Sequence, residues 1–357
     1  MSEQPVCIET LVAFARANDC SDIHITSELP PVFRRLGKLV KGPFDCGKQE
    51  SRDLIFSLLS EMQKETLMAG HDLDFGFADA NGKRQRVNVF HQQGELAAAI
   101  RVLRDDIPSL QDLNLPPVIQ ELAEKPRGLV LVTGPTGSGK STTLAAMIDH
   151  INCTRKAHVI TIEDPVEYIH PHKNCLVHQR ELHRDVASFA DALRSAMRED
   201  PDVILVGEMR DYETISAAVT AAETGHLVLS TLHTTSASQT LDRIVDVYPP
   251  HSQGQIRSQL SGVFRGVISQ ILLPRADGSG RTVATEILVG TDAVLNMLRE
   301  GKFHQLSSTM QAGAAHGMHT LAGDLAKKVQ QGLLTREVAE QAVSNKQELA
   351  QYLGLRA

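Results

Sequence analysis

The spacing of apolar residues divides the chain into two parts. In the first hundred residues, some segments repeat their apolar positions every three or four residues, as helices do, and others every second residue, as strands do. The predicted helices cover 8–18 and 52–67. The predicted strands cover 21–25, a hairpin over 32–40, and 73–78, 85–90 and 96–103, with a turn at Asn81-Gly82. The first part is therefore predicted to be a small α+β domain, residues 1–107.

From Gly128 onwards, continuous apolar runs separated by helical segments replace this alternation, a pattern typical of a parallel sheet buried on both faces. The predicted strands cover 129–133, 158–162, 203–206 and 227–231, with helices beginning near Lys140, Asp185 and Tyr212. Beyond residue 250 the chain is predicted to be mostly helical, with a strand pair near 282–289. Acidic residues and prolines predict a linker over 108–118, so that an α/β domain covers 119–357.

Composition narrows the function classes. The net charge of −7 disfavours a general nucleic-acid binder, and 4% aromatic residues with no Trp disfavour a base-stacking surface. No apolar run approaches the roughly 20 residues that span a bilayer, and the N-terminus does not resemble a signal peptide. The five cysteines form no C-x-x-C pair, which favours reduced thiols. We therefore expect a cytoplasmic protein.

One stretch has the spacing G-x-x-x-x-G-K-S of a phosphate-binding loop, between a predicted strand and a predicted helix. Its residues, with the Thr that follows, are the candidate nucleotide-binding residues: Gly134, Pro135, Thr136, Gly137, Ser138, Gly139, Lys140, Ser141 and Thr142. The glycines allow backbone N–H groups to surround phosphate oxygens, and the helix adds its positive dipole end. Lys140 can reach the β- and γ-phosphates and Ser141 can ligate Mg²⁺. The sequence therefore predicts binding of a nucleoside triphosphate.

Carboxylates follow two of the predicted strands, where an α/β nucleotide site collects its residues. Glu163 is the candidate base that orients and deprotonates water, and Glu167 is a further candidate metal ligand. Glu208 ends a Walker B-like run in which Gly207 replaces the usual aspartate, so Glu208 is predicted to support Mg²⁺ through water. The alternative at each position is a solvated acidic turn or strand end.

Histidines and arginines supply further candidates. His226 and His233 flank one predicted strand. A zinc site is excluded because the sequence offers no third and fourth ligand at a suitable spacing. His233 is a candidate γ-phosphate sensor, and for either histidine the alternative is a structural role. The N-terminal strands carry Arg84, Arg86, Arg101 and Arg104. Strand alternation places Arg84 and Arg86 on one face. They form either a solvated basic face or arginine fingers that reach a phosphate across a subunit boundary.

Together, these motifs resemble those of a known family. The sequence resembles the PilT-type type IV pilus retraction ATPases of the secretion-ATPase superfamily across nearly its whole length. Four boxes carry the resemblance: the Walker A loop at 134–141, the Asp box at 161–167, the Walker B run at 198–208 and the His box at 225–234. Gly207 is usual in that family. Residues 293–306 resemble the family's retraction motif, with mostly conservative departures.

The resemblance implies a homohexameric ring in which each subunit has a PAS-like N-terminal domain and a RecA-like ATPase domain that uses ATP and Mg²⁺. It implies Glu163 as the catalytic glutamate, Glu208 as the Walker B acid and His226 and His233 as the His-box residues. Arg84, Arg86 and Arg101 match positions that complete the site of a neighbouring subunit.

Extension and type II secretion ATPases of this superfamily usually carry an additional N-terminal region and a tetracysteine zinc motif. This sequence shows neither, which favours a retraction motor. The implied partners are an inner-membrane pilus platform protein and a second retraction ATPase, with the ring peripheral to the cytoplasmic face of the inner membrane and no direct contact with nucleic acid. The alternatives are an accessory or regulatory pilus ATPase and a RecA-like nucleic-acid translocase.

Overall fold

The computed structural model describes residues 6–35, 37–80, 82–103 and 106–354. The chain divides into two compact units, of which the first comprises Met1–Asp106 with Asp164–Ile169 and the second Ile107–Glu163 with His170–Ala357. Asn81 of the predicted turn and Arg104 of the arginine group lie outside the described residues. The segment Asp164–Ile169 is notable because it belongs to the first unit although it follows a strand of the second.

The first unit is built on one antiparallel sheet. Its elements are α1 (Ile8–Ala17), β1 (Cys20–Ile25), β2 (Val32–Arg35), β3 (Lys38–Lys41), α2 (Lys48–Ser57), α3 (Glu61–Met68), β4 (Leu73–Ala78), β5 (Arg84–Gln92) and β6 (Glu95–Val102). The strand order is β3-β2-β1-β6-β5-β4. Helix α1 buries Ile8, Leu11, Val12 and Ala15, which share one face because they are three or four residues apart.

The sequence predicted one helix over 52–67, and this prediction is wrong. Two helices, α2 and α3, cover this region, because Ser60 interrupts the chain as a helix cap. The Ser60 hydroxyl accepts a hydrogen bond from the Gln63 amide, and the Gln63 side chain accepts one from the Ser60 amide. Such a reciprocal capping box begins a new helix even where apolar spacing continues through it.

The second unit contains a larger sheet with helices on both faces. Its elements are α4 (Val118–Ala123), β7 (Gly128–Thr133), α5 (Lys140–Thr154), β8 (His158–Glu163), β9 (Leu176–Glu181), α6 (Phe189–Ala196), β10 (Val203–Val206), α7 (Tyr212–Glu223), β11 (Leu227–Leu232), α8 (Ala237–Asp246), α9 (Gln253–Val263), β12 (Phe264–Pro274), β13 (Arg281–Val289), α10 (Asp292–Glu300), α11 (Leu306–Ala312), α12 (Leu321–Gln330), α13 (Arg336–Ala342) and α14 (Lys346–Tyr352). The order β13-β12-β7-β11-β10-β8-β9 is parallel except for the β12–β13 pair.

The central strands are buried on both faces, which explains their continuous apolar runs. Leu129 and Leu131 of β7 belong to one core, whereas Val130 and Val132 belong to the core on the other face. The RecA-like α/β fold predicted from the sequence is thereby confirmed. The prediction of a mostly helical region beyond residue 250 is wrong over β12, because this strand lies inside the sheet between β7 and β13. Strand β9 was also missed; it lies at the sheet edge and is largely polar.

Residues of the predicted linker are anchored to the second unit. Leu110 is buried in the same core as Ile119 and Leu122 of α4 and Val132 of β7. The chain after Ile107 is therefore held by apolar packing in the second unit. Within the described ranges, no helix has both the length and the apolar character needed to cross a membrane.

Candidate active site

The candidate residues lie at the carboxyl ends of four adjacent strands of the large sheet. In the order β7, β11, β10 and β8, each strand ends next to a candidate group: the phosphate-binding loop, His233, Glu208 and Glu163. The ends lie within two residues of one another, because Thr133 lies opposite Leu232, and Val206 lies opposite both Ser230 and Ile162. Parallel strands thus bring together groups that are far apart in the sequence.

The loop after β7 requires glycine at two positions. Gly134 has a φ of 143°, and a Cβ there would lie 2.2 Å from the carbonyl oxygen of Gln270 on β12. Gly139 has a φ of 91°, in the left-handed region, and caps the N-terminus of α5. The loop therefore turns tightly into the helix, as phosphate binding requires.

The residues of this loop fit a nucleotide phosphate. Pro135, Thr136 and Gly137 are exposed, and among the described residues other than its chain neighbours no heavy atom lies within 4 Å of a Cβ built on Gly137. Lys140 Nζ donates to the carbonyl oxygens of Gly134 at 2.8 Å and Pro135 at 3.2 Å, so its ammonium group lies against the loop. Oxygens are also what Mg²⁺ prefers, and exposed Ser141 presents one in the first turn of α5.

Glu163 is oriented by two hydrogen bonds to the same oxygen. Thr161 Oγ1 donates to Glu163 Oε1 at 2.6 Å, and Gln179 Nε2 on β9 donates to it at 3.2 Å. Gln179 also accepts a hydrogen bond from the His170 amide at 2.8 Å. No strand is predicted over β9 from the sequence, so no sequence signal indicates that Gln179 lies near Glu163.

His170 is the first residue of the second unit after the segment Asp164–Ile169. Its side chain is buried. Desolvation lowers its pKa to about 4, so the ring is neutral at neutral pH. Its Nδ1 is buried and has no hydrogen-bond partner in the described part of the chain. A buried neutral imidazole at this point makes the region sensitive to acid.

Glu208 and His233 meet after neighbouring strands. Glu208 Oε2 lies 3.4 Å from His233 Nε2 and 2.8 Å from Arg210 Nε. A cavity of about 370 Å³ is lined by these residues with Arg243, Met209 after β10, Thr234, and the last two residues of β11. The Walker B acid and a His-box residue therefore lie close together within one chain.

Within this chain His226 does not join this group, and its assignment as a catalytic residue stays a prediction. It precedes β11, at the opposite edge of the sheet, where its carbonyl oxygen accepts a hydrogen bond from Gly128 at the start of β7. A strand of this length separates the two edges by about 20 Å. The ring lies at the end of α7, where Nδ1 is 2.8 Å from the Ala221 carbonyl oxygen. This contact is compatible with the structural role that was the alternative.

The three described arginines of the first unit make different contacts. Arg84 is buried, and its Nε and Nη2 donate to the Val166 carbonyl oxygen at 3.3 and 3.2 Å. Arg86 binds Asp74 through two hydrogen bonds, and this pairing raises the pKa of Arg86 above its usual range. Arg101 lies directly opposite Arg86.

Arg101 Nε donates to Asp22 at 3.2 Å, and its side chain is exposed. Glu167 lies in the segment Asp164–Ile169 of the same unit, and its charge contributes to the raised pKa of Arg86. The contacts of these arginines to another subunit, and metal binding by Glu167, remain predictions. Among the described residues, no three His, Cys, Asp or Glu side chains cluster as metal ligands.

Comparison with known proteins places the chain in a family. The sequence model described as "Type II/IV secretion system protein" matches residues 94–353. A type IV pilus retraction ATPase, PilT, of Pseudomonas aeruginosa is 46% identical over 337 residues, which are 94% of this chain and 97% of that protein. The chain belongs to the PilT-type pilus retraction ATPases. A twitching motility protein of Neisseria gonorrhoeae is 50% identical over 306 residues, covering 86% of this chain and 82% of that protein.

The fold agrees with this membership. A crystal structure of the pilus retraction motor PilT with bound ADP matches with a TM-score of 0.90 and 46% identity, covering 97% of this chain and 99% of that one. The chain is therefore an ATPase of this family, and the predicted enzyme class and fold class are confirmed.

Proposed function

We propose that this protein is the ATP-hydrolysing motor that powers type IV pilus retraction and twitching motility. The observation that carries the proposal is that four adjacent parallel strands end within two residues of one another, which brings the phosphate-binding loop, Glu163, Glu208 and His233 to the carboxyl end of the strands. Lys140, held against the loop carbonyls, is placed to interact with phosphate oxygens. Mg²⁺, when bound, would neutralise phosphate charge, with Ser141, Glu208 and Glu167 as its candidate supports.

Glu163 acts in this proposal as the base that orients and deprotonates the attacking water. Thr161 and Gln179 restrain one of its oxygens, which reduces the orientational freedom of the carboxylate. His233 is the γ-phosphate sensor. Its ring contacts Glu208, so a change in the position of one side chain alters the contacts of the other.

Family membership supports a proposal for the assembly and the partners. We propose a homohexamer in which Arg84, Arg86 and Arg101 complete the site of a neighbouring subunit. The ring would bind an inner-membrane pilus platform protein on the cytoplasmic face of that membrane, and a second retraction ATPase would share this work. No direct contact with nucleic acid is proposed.

Movement between domains would couple hydrolysis to work. We propose that residues 1–107 and 119–357 are the two domains, that 108–118 connect them, and that ATP binding and product release alternately close and reopen them. In support, Glu163 is directly followed in the chain by Asp164–Ile169, which belongs to the first unit. A displacement of Glu163 would therefore be transmitted along the backbone to a segment of the first unit. Because Leu110 is buried in the second unit, the flexing point is expected before Leu110.

The test is complementation in the host. A strain lacking the gene is expected to carry excess surface pili and to lose twitching, and the wild-type gene should restore both. Glu163→Gln should fail to restore motility and should abolish phosphate release by the purified protein. Glu121→Gln, an equal change on an exposed helix position, is the matched control and should behave as wild type. Absent pili in the deletion strain would indicate an extension motor and contradict the proposal.

A further inference from the structure

Gln270 is a buried polar residue on β12, only 2% exposed, and lies next to the phosphate-binding loop. Its strand is parallel to β7, and the preceding residue, Ser269, lies opposite Thr133, the last residue of β7. Gln270 therefore occupies the first position beyond the end of β7, where the loop begins. A buried amide must be hydrogen-bonded or it destabilises the fold.

Both ends of the Gln270 amide are bonded to the nucleotide-binding segment. Nε2 donates to the Ser138 carbonyl oxygen at 2.7 Å, and Oε1 accepts a hydrogen bond from Thr143 Oγ1 at 2.9 Å. The amide orientation is defined by its partners, since a carbonyl can only accept. The side chain thus connects the loop to the first turn of α5 from the interior of the protein.

The first of these contacts orients a peptide group of the loop. In a planar trans peptide the C=O and the following N–H point in opposite directions. Since the Ser138 carbonyl points inward to Gln270, the Gly139 N–H points away from the buried amide, towards the exposed side of the loop. A Cβ on Gly139 would lie 3.2 Å from Gln270 Nε2, so the contact is also close.

We propose that Gln270 is a positioning residue for nucleotide binding, which holds the Ser138–Gly139 peptide with its N–H directed at the phosphates. This inference rests on the nucleotide-binding role of the loop. Gln270 is buried and contacts the loop, so its effect on the nucleotide is exerted through the backbone. Without the Gln270 side chain, the Ser138–Gly139 peptide can rotate. The Gly139 N–H is then directed away from the phosphates for part of the time.

The experiment measures ADP affinity of the full-length protein at several pH values. Gln270→Met keeps the length of the side chain but removes both hydrogen bonds, and we expect ADP to bind about tenfold more weakly. Ser269→Ala is the matched control, because it removes one buried hydrogen bond, to Thr133 Oγ1, from the adjacent residue of the same strand. Its affinity should remain close to that of the wild type.

Gln270→Glu separates positioning from packing. An ionised carboxylate cannot donate to the Ser138 carbonyl, whereas the protonated acid can, and burial raises the pKa of a carboxyl group. We therefore expect weak ADP binding at pH 8 that recovers towards the wild-type value as the pH falls to 6. A purely structural defect would not recover in this way.

Two results would overturn the inference: wild-type affinity of Gln270→Met, or a Gln270→Glu affinity that changes with pH only as the wild type does. If Gln270→Met fails to fold, Thr143→Val decides, because it removes one of the two contacts and should weaken binding about threefold without a pH-dependent recovery. Failure of the wild type itself to bind ADP would count against the proposed function, whereas unaffected variants of a binding wild type count only against Gln270.

Discussion

The hydrogen bond from Thr161 to Glu163 offers a quantitative test of the proposed base. Both residues are on β8 and, being two apart, share one face of the sheet. Thr161 is fully buried and donates to Glu163 Oε1 at 2.6 Å. Replacing Thr161 by Val keeps the shape of the side chain and removes this donor.

The magnitude follows from the charge of the acceptor. A hydrogen bond to a charged group contributes about 1.5–3 kcal/mol. If the restraint on Glu163 is fully used in the transition state, its loss lowers kcat by roughly 10- to 150-fold. KM for ATP should change little, because the bond is made to the proposed base and not to the phosphate-binding loop.

Steady-state phosphate release over a range of ATP concentrations separates the two parameters. Thr161→Ser retains the hydroxyl and should keep kcat within about threefold of the wild type, which distinguishes loss of the hydrogen bond from a general effect of substitution in the strand. The reasoning would be refuted by Thr161→Val with wild-type kcat, or by an effect on KM alone, since either result would separate the Thr161 contact from catalysis.

Two further predictions concern stability. The pKa of His170 is lowered to about 4, so between its usual value near 6.5 and 4 the unfolded chain binds a proton that the folded chain does not, and stability falls as the pH falls. His170→Phe should remove about 2 kcal/mol of the loss in unfolding free energy between pH 7.5 and 5, measured in urea; an unchanged acid dependence would contradict this. Asn152→Ala should cost about 3 kcal/mol in the same assay, because buried Asn152 hydrogen-bonds the Pro171 carbonyl and the amides of Lys173 and Cys175; a loss below about 1 kcal/mol would contradict it.

Much of the site was open to sequence reasoning because its residues depend on local patterns. The phosphate-binding loop needs glycine where the backbone has a positive φ and a Lys at the start of a helix, and both requirements are visible in a few consecutive residues. Glu163 and Glu208 were selected for a related reason, since an acid within two residues of an apolar run marks the end of a buried strand. Apolar runs also predicted the central strands to within one residue.

The sequence alone also determined the domain types and the family, because periodicity and short motifs are properties of contiguous residues. Only the tertiary structure decided which strands are neighbours. The order β7-β11-β10-β8 brings His233 to Glu208 and leaves His226 at the other edge, although both histidines flank the same strand. The roles of Gln179 and Gln270 also depend on which strands are neighbours. Their partners lie on other strands, and hydrogen bonds made across a sheet depend on strand order and register, which no local pattern encodes.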